Sequence, residues 1–539
     1  MMKEKALDFL TKYKYTILLL IYFCIIAVLA GEKRICQTTI VAGISSLSLF
    51  FIVNILAKTR YSLPFTIIFI LIISLDAFFA FNYQTYITLF LLSSMLETDI
   101  VEAKETLGLF VISVVVILMV TSFLVFKSQQ ELRNRALSRR KSALILSIYI
   151  IIIIPFVGFV KLKSDDKTDG LFKLNVVLTI EKSLKNITPV FYGDFLTFGA
   201  YQHEMWKLKD YVHTNRTLPE GISFEQTKKQ PQKIYLIVGE TARRDHYSLY
   251  GYPVKTTPFL DSLYHTKTVD FNFYQGVAPA PLTREAVKLV LSFASPTNVQ
   301  TFFDYKNVVE IAKDAGYETN WISNQDKVGI GDGYVGSIGA NADKRSFRDM
   351  MVEGQLEDLN LIKILKKWHK PNEKQFFVIH LVGSHHDYNT RYDEIDKNSI
   401  PGDDIVADYD RSIHHTDRVF REIYGVMKDD LSSSVIYYIS DHGEVIGKGH
   451  AFGWQQDYRV PVFAISNNTD VVNTDSIIGK YVDQESQLIN TSSSIYILSE
   501  ILGYKIPQSA VDKSIVDGRY VLDKDFKPEM FVNIKAAEE

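Results

Sequence analysis

The sequence predicts a two-part protein in which about five transmembrane helices precede one large α/β domain. The composition changes near Val160: long apolar runs occur before it, and an ordinary mixture of charged, aromatic and turn-forming residues follows it. Three apolar runs in the later part each lead to side chains suited to metal binding, which is typical of strand ends in an open α/β sheet. The predicted domains are residues 1–160 in the membrane, 161–230 as an interfacial linker and 231–539 as the large α/β domain.

The membrane prediction depends on five apolar stretches of nearly the length that a membrane helix requires. A helix needs about 20 residues to cross about 30 Å of hydrocarbon. Five such runs in succession exceed what a soluble core uses, and a cleaved signal peptide would account only for the first. The stretches are residues 15–30, 39–57, 63–81, 107–126 and 143–160.

Lysine and arginine residues predict the orientation in the membrane. They are concentrated before the first stretch, after the second, and between the fourth and fifth, so these loops are expected inside the cell. An odd number of crossings then places the large domain outside, which in a Gram-negative cell is the periplasm. The predicted location is therefore the bacterial inner membrane. The acidic outer segment 93–108 is interpreted either as a solvated helix surface or as a binder of lipid head groups.

Charge and cysteine content exclude some functions. The net charge is −3 and no basic motif occurs, so no nucleic-acid partner is predicted. The chain has only two cysteines, Cys24 and Cys36, and both lie in the membrane part. The large domain therefore has neither a disulfide nor thiolate chemistry.

Three apolar runs of the large domain predict buried parallel strands. Because the carboxyl ends of parallel strands meet at one edge of a sheet, the polar residues that follow them are expected to lie together. Carboxylate and imidazole groups suit Zn²⁺, with one coordination position left for chemistry. The runs and the candidate residues after them are 234–238 with Glu240, 376–381 with His385, and 435–439 with Asp441 and His442.

A threonine at the start of a predicted helix is a candidate nucleophile. Pro279 and Pro281 exclude helix just before Thr283, and apolar periodicity begins at Ala286. A helix N-terminus favours a phosphate anion through its free N–H groups and dipole. A plain N-cap is the alternative for Thr283. Thr241 is a rival nucleophile, but successive strand residues point in opposite directions, so it is expected to face away if Glu240 faces the metal.

These motifs resemble the phosphoethanolamine transferases that modify lipid A and other envelope glycans. This family belongs to the alkaline-phosphatase superfamily and is anchored in the membrane. The resemblance covers nearly the whole chain and implies a five-helix anchor with a sulfatase-like, alkaline-phosphatase-type α/β domain. Its motifs are VGETARRDHYSLYGYPVKTTPFLD from Val238, WISNQ from Trp321, HLVGSHHDYNTRY from His380, YDRSIHHTD from Tyr409 and SDHGE from Ser440.

The resemblance also implies a site and a reaction. Glu240, Asp441 and His442 would bind zinc together with Thr283, whose alkoxide the zinc stabilises. Thr283 would take phosphoethanolamine from phosphatidylethanolamine and pass it to lipid A, the lipopolysaccharide core or another glycan at the membrane surface. The family places histidines that hold the substrate phosphate or a second zinc at His385 and His450. An ordinary surface histidine is the alternative for His450.

Competing functions are separated by other sequence features. A sulfatase needs a C/S-x-P-x-R context for its formylglycine, and no cysteine lies beyond Cys36. A glycerol-phosphate transferase would share the anchor, the metal and the threonine, although SHHDYNTRY favours phosphoethanolamine. A receptor with a silent enzyme domain is disfavoured by the intact metal ligands. Many lipid A enzymes of the family carry cysteines near the nucleophile that this chain lacks, so the acceptor is left open.

Overall fold

The structure is a computed structural model with two compact units, Met1–Trp206 and Lys207–Glu539. The division falls inside residues 161–230, the stretch predicted as an interfacial linker. Strand β1 (Ser223–Phe224) pairs with β10 (Tyr504–Lys505), so the end of this stretch belongs to the second unit. The second unit therefore begins earlier than the predicted residue 231. The described residues are 8–30, 35–97, 100–134, 137–163, 190–325, 333–348, 358–430, 432–524 and 526–538.

The first unit is built from helices. Each of the five predicted apolar stretches lies within one of them, because apolar, helix-compatible runs are interrupted only by short polar loops. The last helix continues into the second unit. The helices are α1 (Lys14–Ala30), α2 (Ile35–Ala57), α3 (Leu63–Tyr83), α4 (Leu89–Glu97), α5 (Ile100–Leu132), α6 (Arg139–Lys163) and α7 (Val190–Tyr211).

Two segments among the described residues are long and apolar enough to cross a membrane. These are α3 and the Phe110–Leu132 part of α5, whereas α1 and the Ser45–Ala57 part of α2 are apolar but shorter. The predicted count of about five crossings is therefore not confirmed. The acidic segment 93–108 lies mostly within the end of α4 and the start of α5, so its described backbone is helical. Its binding to head groups stays a prediction.

The interior and exterior of the first unit differ in polarity. Inside, the Tyr22 hydroxyl lies 2.9 Å from the Thr121 hydroxyl of another helix. The Glu131 carboxylate accepts the backbone N–H of Thr16 at 2.9 Å and so satisfies part of the start of α1. Outside, Ile112 of α5 is 82% exposed. An apolar exterior with paired polar groups inside suits a hydrocarbon environment.

The second unit contains an eight-stranded sheet in the order β5-β4-β6-β2-β7-β8-β3-β9. Neighbours are parallel except that β8 runs antiparallel to both β7 and β3. Two short antiparallel pairs, β1 with β10 and β11 with β12, form separate two-stranded sheets. The remaining strands are β2 (Lys233–Gly239), β3 (Asp270–Val277), β4 (Glu318–Ser323), β5 (Lys344–Ser346), β6 (Gln375–His380), β7 (Ser434–Ser440), β8 (Arg459–Ser466), β9 (Leu488–Asn490), β11 (Tyr520–Leu522) and β12 (Pro528–Met530).

Helices cover the sheet and bury its apolar side chains. The ring of Phe420 from α14 packs edge-on against Tyr438 of β7, with centroids 4.7 Å apart. Tyr235 of β2 and Phe377 of β6 stack at 5.4 Å in the same core. The helices are α8 (Pro258–Thr266), α9 (Thr283–Val290), α10 (Val308–Asp314), α11 (Tyr334–Gly339), α12 (Leu361–Trp368), α13 (Glu394–Ser399), α14 (Ile405–Asp430), α15 (Thr474–Ile478), α16 (Ser494–Ile501) and α17 (Gln508–Asp517).

Candidate metal centre

The carboxyl ends of three adjacent parallel strands meet at one edge of the sheet. β2 lies between β6 and β7, and the register pairs Gly239 of β2 with Ser440 of β7. Glu240 and Asp441 follow these two residues directly, so the register places the two carboxylates side by side. The structure thus brings together the strand ends that the sequence predicts to share an edge.

Glu240, Asp441 and His442 form a compact, buried cluster. The His442 Nε2 atom lies 3.2 Å from Glu240 Oε1 and 3.5 Å from Asp441 Oδ2. One ligand atom from each of the three residues lies within 4.8 Å of the others. All three side chains are at most 1% exposed. Two carboxylates and an imidazole buried this closely need a positive charge among them.

The hydrogen bonds of the cluster leave ligand atoms available. Asp441 Oδ1 accepts the backbone N–H groups of Thr241 and His442, at 3.2 and 2.6 Å. Asp441 Oδ2 has no hydrogen-bond partner among the described residues. His442 Nδ1 lies 2.8 Å from the Gly443 carbonyl oxygen, so Nδ1–H donates there and Nε2 is the ring nitrogen that faces the two carboxylates. This donor set fits Zn²⁺.

The pKa values of Asp441 and His442 are both raised, and in each case a neighbouring carboxylate contributes. Burial, together with the negative charge of Glu240, raises the pKa of the Asp441 carboxyl to about 8. Burial alone would lower the pKa of His442, but the charges of Asp441 and Glu240 raise it to about 10. The site therefore favours an added positive charge, which a proton or a metal cation can supply.

Thr283 is the first residue of α9, and its hydroxyl contacts the cluster. Its Oγ1 lies 3.0 Å from Glu240 Oε2 and 3.2 Å from His442 Nε2. Leu282 occupies the N-cap place without a side-chain cap. The hydroxyl of Thr283 therefore faces the cluster instead of capping the helix, and the N-cap alternative is wrong. Pro279 and Pro281 precede the helix in non-helical backbone, as predicted.

Thr241 also contacts Glu240, which contradicts the expectation that it faces away. Its hydroxyl donates to Glu240 Oε1 at 2.6 Å. Strand alternation fails here because Thr241 has a φ of 57°, in the left-handed region, and this turns its side chain back toward the cluster. Thr241 is 0% exposed, whereas Thr283 is partly exposed. A substrate can therefore reach Thr283 more readily.

Two residues that support Glu240 were not among the predicted site residues. Gln325, just beyond β4, donates from Nε2 to Glu240 Oε2 at 2.9 Å. Gly383 follows β6 with a φ of 51°, and a Cβ atom there would lie 2.6 Å from the Glu240 carbonyl oxygen. Only glycine fits such a close approach. Gly383 stands just after a predicted strand, and Gln325 ends the WISNQ motif; these are the signals that could have identified them.

His385 and His450 lie beside the cluster. The ring centroid of His450 is 4.4 Å from that of His442 and 5.8 Å from that of His385. His450 is therefore not an isolated surface residue. Burial, together with the positive charges of His442 and His385, holds the pKa of His450 well below its usual range. A neutral imidazole thus stands next to the predicted ligands.

The fold and the cluster define an α/β domain that gathers metal-binding side chains at the carboxyl edge of a mostly parallel sheet. The chain belongs to the sulfatase family, whose model matches residues 232–504. Residues 46–168 match a second family model, described as phosphoethanolamine transferase EptA/EptB. The resemblance inferred from the motifs is thereby confirmed.

Curated relatives match about half of the chain. Phosphoethanolamine transferase EptC of Escherichia coli K12 is 28% identical over 287 residues, which are 49% of this chain and 50% of EptC. Phosphoethanolamine transferase CptA of Salmonella typhimurium is 26% identical over 306 residues, which are 53% and 51% of the two chains. The chain thus spans about half the length of the curated relatives it matches.

Solved structures show a similar fold. The integral membrane lipooligosaccharide phosphoethanolamine transferase A of Neisseria meningitidis superposes with a TM-score of 0.59 and 17% identity, covering 87% of this chain and 88% of its own. The periplasmic domain of Escherichia coli EptC in complex with Zn gives a TM-score of 0.50 with 21% identity, covering 59% and 98%. At these identities the matches establish the fold.

Proposed function

We propose that the protein is a zinc-dependent phosphoethanolamine transferase that uses Thr283 as its nucleophile. The donor is phosphatidylethanolamine, and the acceptor is an envelope glycan, with lipid A or the lipopolysaccharide core favoured. The names of the curated relatives EptC and CptA support the transferred group. The placement of the Thr283 hydroxyl on Glu240 and His442, beside the unpaired Asp441 Oδ2, is the observation that carries the proposal.

Glu240, Asp441 and His442 would hold the zinc ion, and Thr283 Oγ1 contacts two of these residues. When bound, zinc supplies Lewis-acid stabilisation of negative charge on oxygen. The Thr283 hydroxyl gives its proton to the Glu240 carboxylate, to which it donates, and its oxygen attacks the phosphorus. A phosphorus–oxygen bond to Thr283 forms, and the bond to the diacylglycerol oxygen breaks. An acceptor hydroxyl later attacks the same phosphorus and releases Thr283.

His450, which is held neutral, orients the phosphate by a hydrogen bond, and His385 gives a proton to the leaving oxygen. Their rings lie beside His442 and are half-buried, so they can contact a phosphate bound at Thr283. A neutral imidazole can donate one N–H to a phosphate oxygen. The N-terminus of α9 adds backbone N–H groups and the positive end of the helix dipole.

The anchor brings the enzyme to its lipid donor. We propose five crossings of the bacterial inner membrane by α1, α2, α3, α5 and α6, with the catalytic unit in the periplasm. The apolar exterior of α5 and the basic loops support this arrangement. A lipid donor and a lipid-linked acceptor both diffuse in two dimensions at the outer leaflet, so an anchored enzyme meets both.

The test uses the full chain in lipid nanodiscs with phosphatidylethanolamine carrying a fluorescent acyl chain. Two products are measured: fluorescent diacylglycerol, and the intact protein mass with one phosphoethanolamine group added. Thr283→Ala is expected to lose both, while Thr283→Ser keeps a measurable adduct because it retains the hydroxyl. Thr241→Ser serves as the matched control and keeps the adduct.

The outcomes separate the alternatives. An adduct that persists in Thr283→Ala and disappears in Thr241→Val would make Thr241 the nucleophile. Release of diacylglycerol only from phosphatidylglycerol would establish a glycerol-phosphate transferase instead. Mass spectrometry of envelope glycolipids from cells with and without the protein then identifies the acceptor, because the added group vanishes with Thr283→Ala.

A further inference from the structure

A second concave site, the aromatic groove, lies on the catalytic unit. Its volume is about 580 Å³, and no residue of the metal centre lines it. That volume is in the range of small-ligand sites. The side chains that give the groove its character are Tyr250, Phe273, Tyr274, Gln275, Gln484 and Gln487.

The aromatic rings of the groove are held in place. The Tyr250 hydroxyl donates to the Val462 carbonyl oxygen at 2.8 Å, and its ring packs edge-on against Phe273 at 5.0 Å. The Tyr274 hydroxyl donates to Asp475 at 2.8 Å. Rings fixed by their own hydroxyl groups lose little entropy when a ligand packs on them.

The amide side chains of the groove retain hydrogen-bonding capacity. Gln275 is exposed and has no side-chain partner among the described residues. The amide nitrogen atoms of Gln484 and Gln487 donate to backbone carbonyls at 3.3 and 2.8 Å, which leaves their oxygen atoms as acceptors. Gln487 has a φ of 58°, so its backbone is held in an uncommon conformation at the groove.

The side chains that line the groove indicate what kind of ligand it can bind. Among the described residues no charged side chain lines the groove, so none of them compensates a phosphate, a carboxylate or an ammonium group there. Fixed rings and amides suit a molecule with apolar faces and many hydroxyl groups. We propose that the aromatic groove binds neutral sugar residues of the acceptor glycan, at a distance from its reacting hydroxyl. This inference rests on the proposed transfer to a glycan.

The test measures sugar binding without any donor lipid, so that its outcome is independent of the transfer reaction. Saturation-transfer NMR with maltohexaose, a neutral glucose hexasaccharide, is expected to show binding to the full chain in detergent. A hexasaccharide of glucuronic acid is expected not to bind. Gln275→Ala and Gln487→Gly should each weaken binding about tenfold, since each removes one hydrogen-bonding group.

Gln487→Gly keeps the left-handed backbone accessible, and Gln275→Ala removes only an exposed amide, so both variants are expected to fold. Tyr274→Ala should abolish binding, while Tyr274→Phe retains it because the ring remains. Absence of maltohexaose binding, or binding that none of these variants weakens, would overturn the proposal. Transfer by the same protein preparation shows separately whether the proposed function holds.

A different set of contacts links the C-terminal segment 535–538 to the metal centre. Gln456 is 5% exposed, and its side-chain amide exchanges two hydrogen bonds with the backbone of Ala537, at 2.9 and 3.0 Å. The Gln455 backbone N–H donates to the Lys535 carbonyl at 2.9 Å. Lys448 donates to the Glu538 carbonyl at 2.7 Å. The segment thus holds the loop that contains His450 at several points.

The loop in turn contacts the residue that orients His442. The Gly443 N–H donates to the Asp457 carbonyl at 2.8 Å, and a Cβ atom on Gly443 would lie 2.4 Å from the Gln456 carbonyl oxygen. Gly443 also accepts Nδ1–H of His442. We infer that segment 535–538, through Gln456, positions His442 for zinc, which makes Gln456 a positioning residue.

Zinc affinity, measured by chelator competition, tests this inference apart from activity. Gln456→Ala is expected to weaken zinc binding about tenfold, as is typical of residues that orient a ligand. Ending the chain at Ile534 removes the backbone groups that Gln456 contacts and should have a similar effect, and the two changes combined should not add because they break one path. Lys513→Ala, at an exposed ion pair, is the control and leaves affinity unchanged. Unchanged zinc affinity in folded Gln456→Ala would overturn the inference.

Discussion

The two ends of strand β2 carry buried charge in opposite ways. At the amino end, Lys233 is 0% exposed, but its ammonium donates to the Lys370 carbonyl at 2.8 Å and lies 3.5 Å from Asp430. At the carboxyl end, Glu240 and Asp441 crowd together, and Asp441 Oδ2 lacks a hydrogen-bond partner among the described residues. The first arrangement already contains a cation, the Lys233 ammonium, whereas the second calls for one. Burial alone therefore does not identify the functional end.

A second acidic cluster sharpens this difference. Asp393, Asp396 and His415 also lie close enough together to hold a metal ion. However, Arg418 Nη1 lies 2.6 Å from a carboxylate oxygen of Asp393 and 2.6 Å from one of Asp396. The positive charge that a metal would bring is already supplied by the guanidinium. We therefore interpret this cluster as a structural ion network.

The largest expected effect comes from the carboxyl end. Asp441→Asn keeps the shape of the side chain but removes its charge, so zinc binding should be lost and transfer should fall about a thousandfold or more. The thermal midpoint of the zinc-free protein should not fall, because the neutral amide replaces a carboxyl whose pKa burial and Glu240 already raise to about 8. Chelator competition and unfolding measured with EDTA check both statements. Full transfer by Asp441→Asn would contradict the conclusion that the carboxyl end of β2 requires a cation.

A substitution at the amino end of β2 should instead lower the stability of the protein and leave its zinc affinity unchanged. Lys233→Met leaves Asp430 without its buried ammonium, and we expect the free energy of unfolding to fall by about 3 kcal/mol. Zinc affinity of the folded fraction should not change. Urea unfolding of the full chain with a parallel zinc titration measures the two quantities. A loss of zinc affinity without a loss of stability would show that the two ends are not independent.

The contribution of the structural ion network to the stability of the protein should depend on pH. Burial would raise the pKa of Asp396, but hydrogen bonds from His414 and His415, at 2.6 and 2.8 Å, hold that pKa well below its usual range. Its stabilisation is therefore present above the unfolded pKa near 4 and is lost as the pH falls below it. Asp396→Asn should cost about 2 kcal/mol at pH 7.

This cost should shrink as the pH falls from 4 to 2, because Asp396 takes up a proton there in the unfolded chain but not in the folded protein, so its charge stabilises the fold less. Urea unfolding at several pH values measures the difference. Asp393→Asn, which removes a partly exposed carboxylate that also contacts Arg418, is the matched comparison. A cost that stays constant over the whole pH range would contradict the assignment of the shift to Asp396.

The smallest expected effect concerns the support of Glu240. Gln325→Ala removes one hydrogen bond to Oε2, so zinc affinity should fall about tenfold while the Thr283 adduct still forms. Gln325→Glu places a further negative charge beside Glu240, and we expect tighter zinc binding but slower transfer. Equal zinc affinity in all three proteins would show that Gln325 acts only on the fold.

The sequence predicted the elements whose signals are local. The runs at 234–238 and 435–439 lie within β2 and β7, and Thr283 opens a helix after two prolines, because apolar runs and prolines act on nearby residues. Contacts between distant segments had no such signal. The reversed direction of β8, the left-handed Thr241 and the contact of Gln325 with Glu240 all depend on tertiary packing.

The pairing of β2 with β7 also implies that the metal site forms only after the sheet has folded. The bond from the Thr241 N–H to Asp441 joins residues 200 apart in the sequence, so it can form only after a long loop has closed. The ligands of the centre are therefore scattered in the unfolded chain, and a high-affinity zinc site does not exist until the middle of the sheet has assembled. In the proposed function, metal loading would therefore follow folding and take place in the compartment where the domain becomes native.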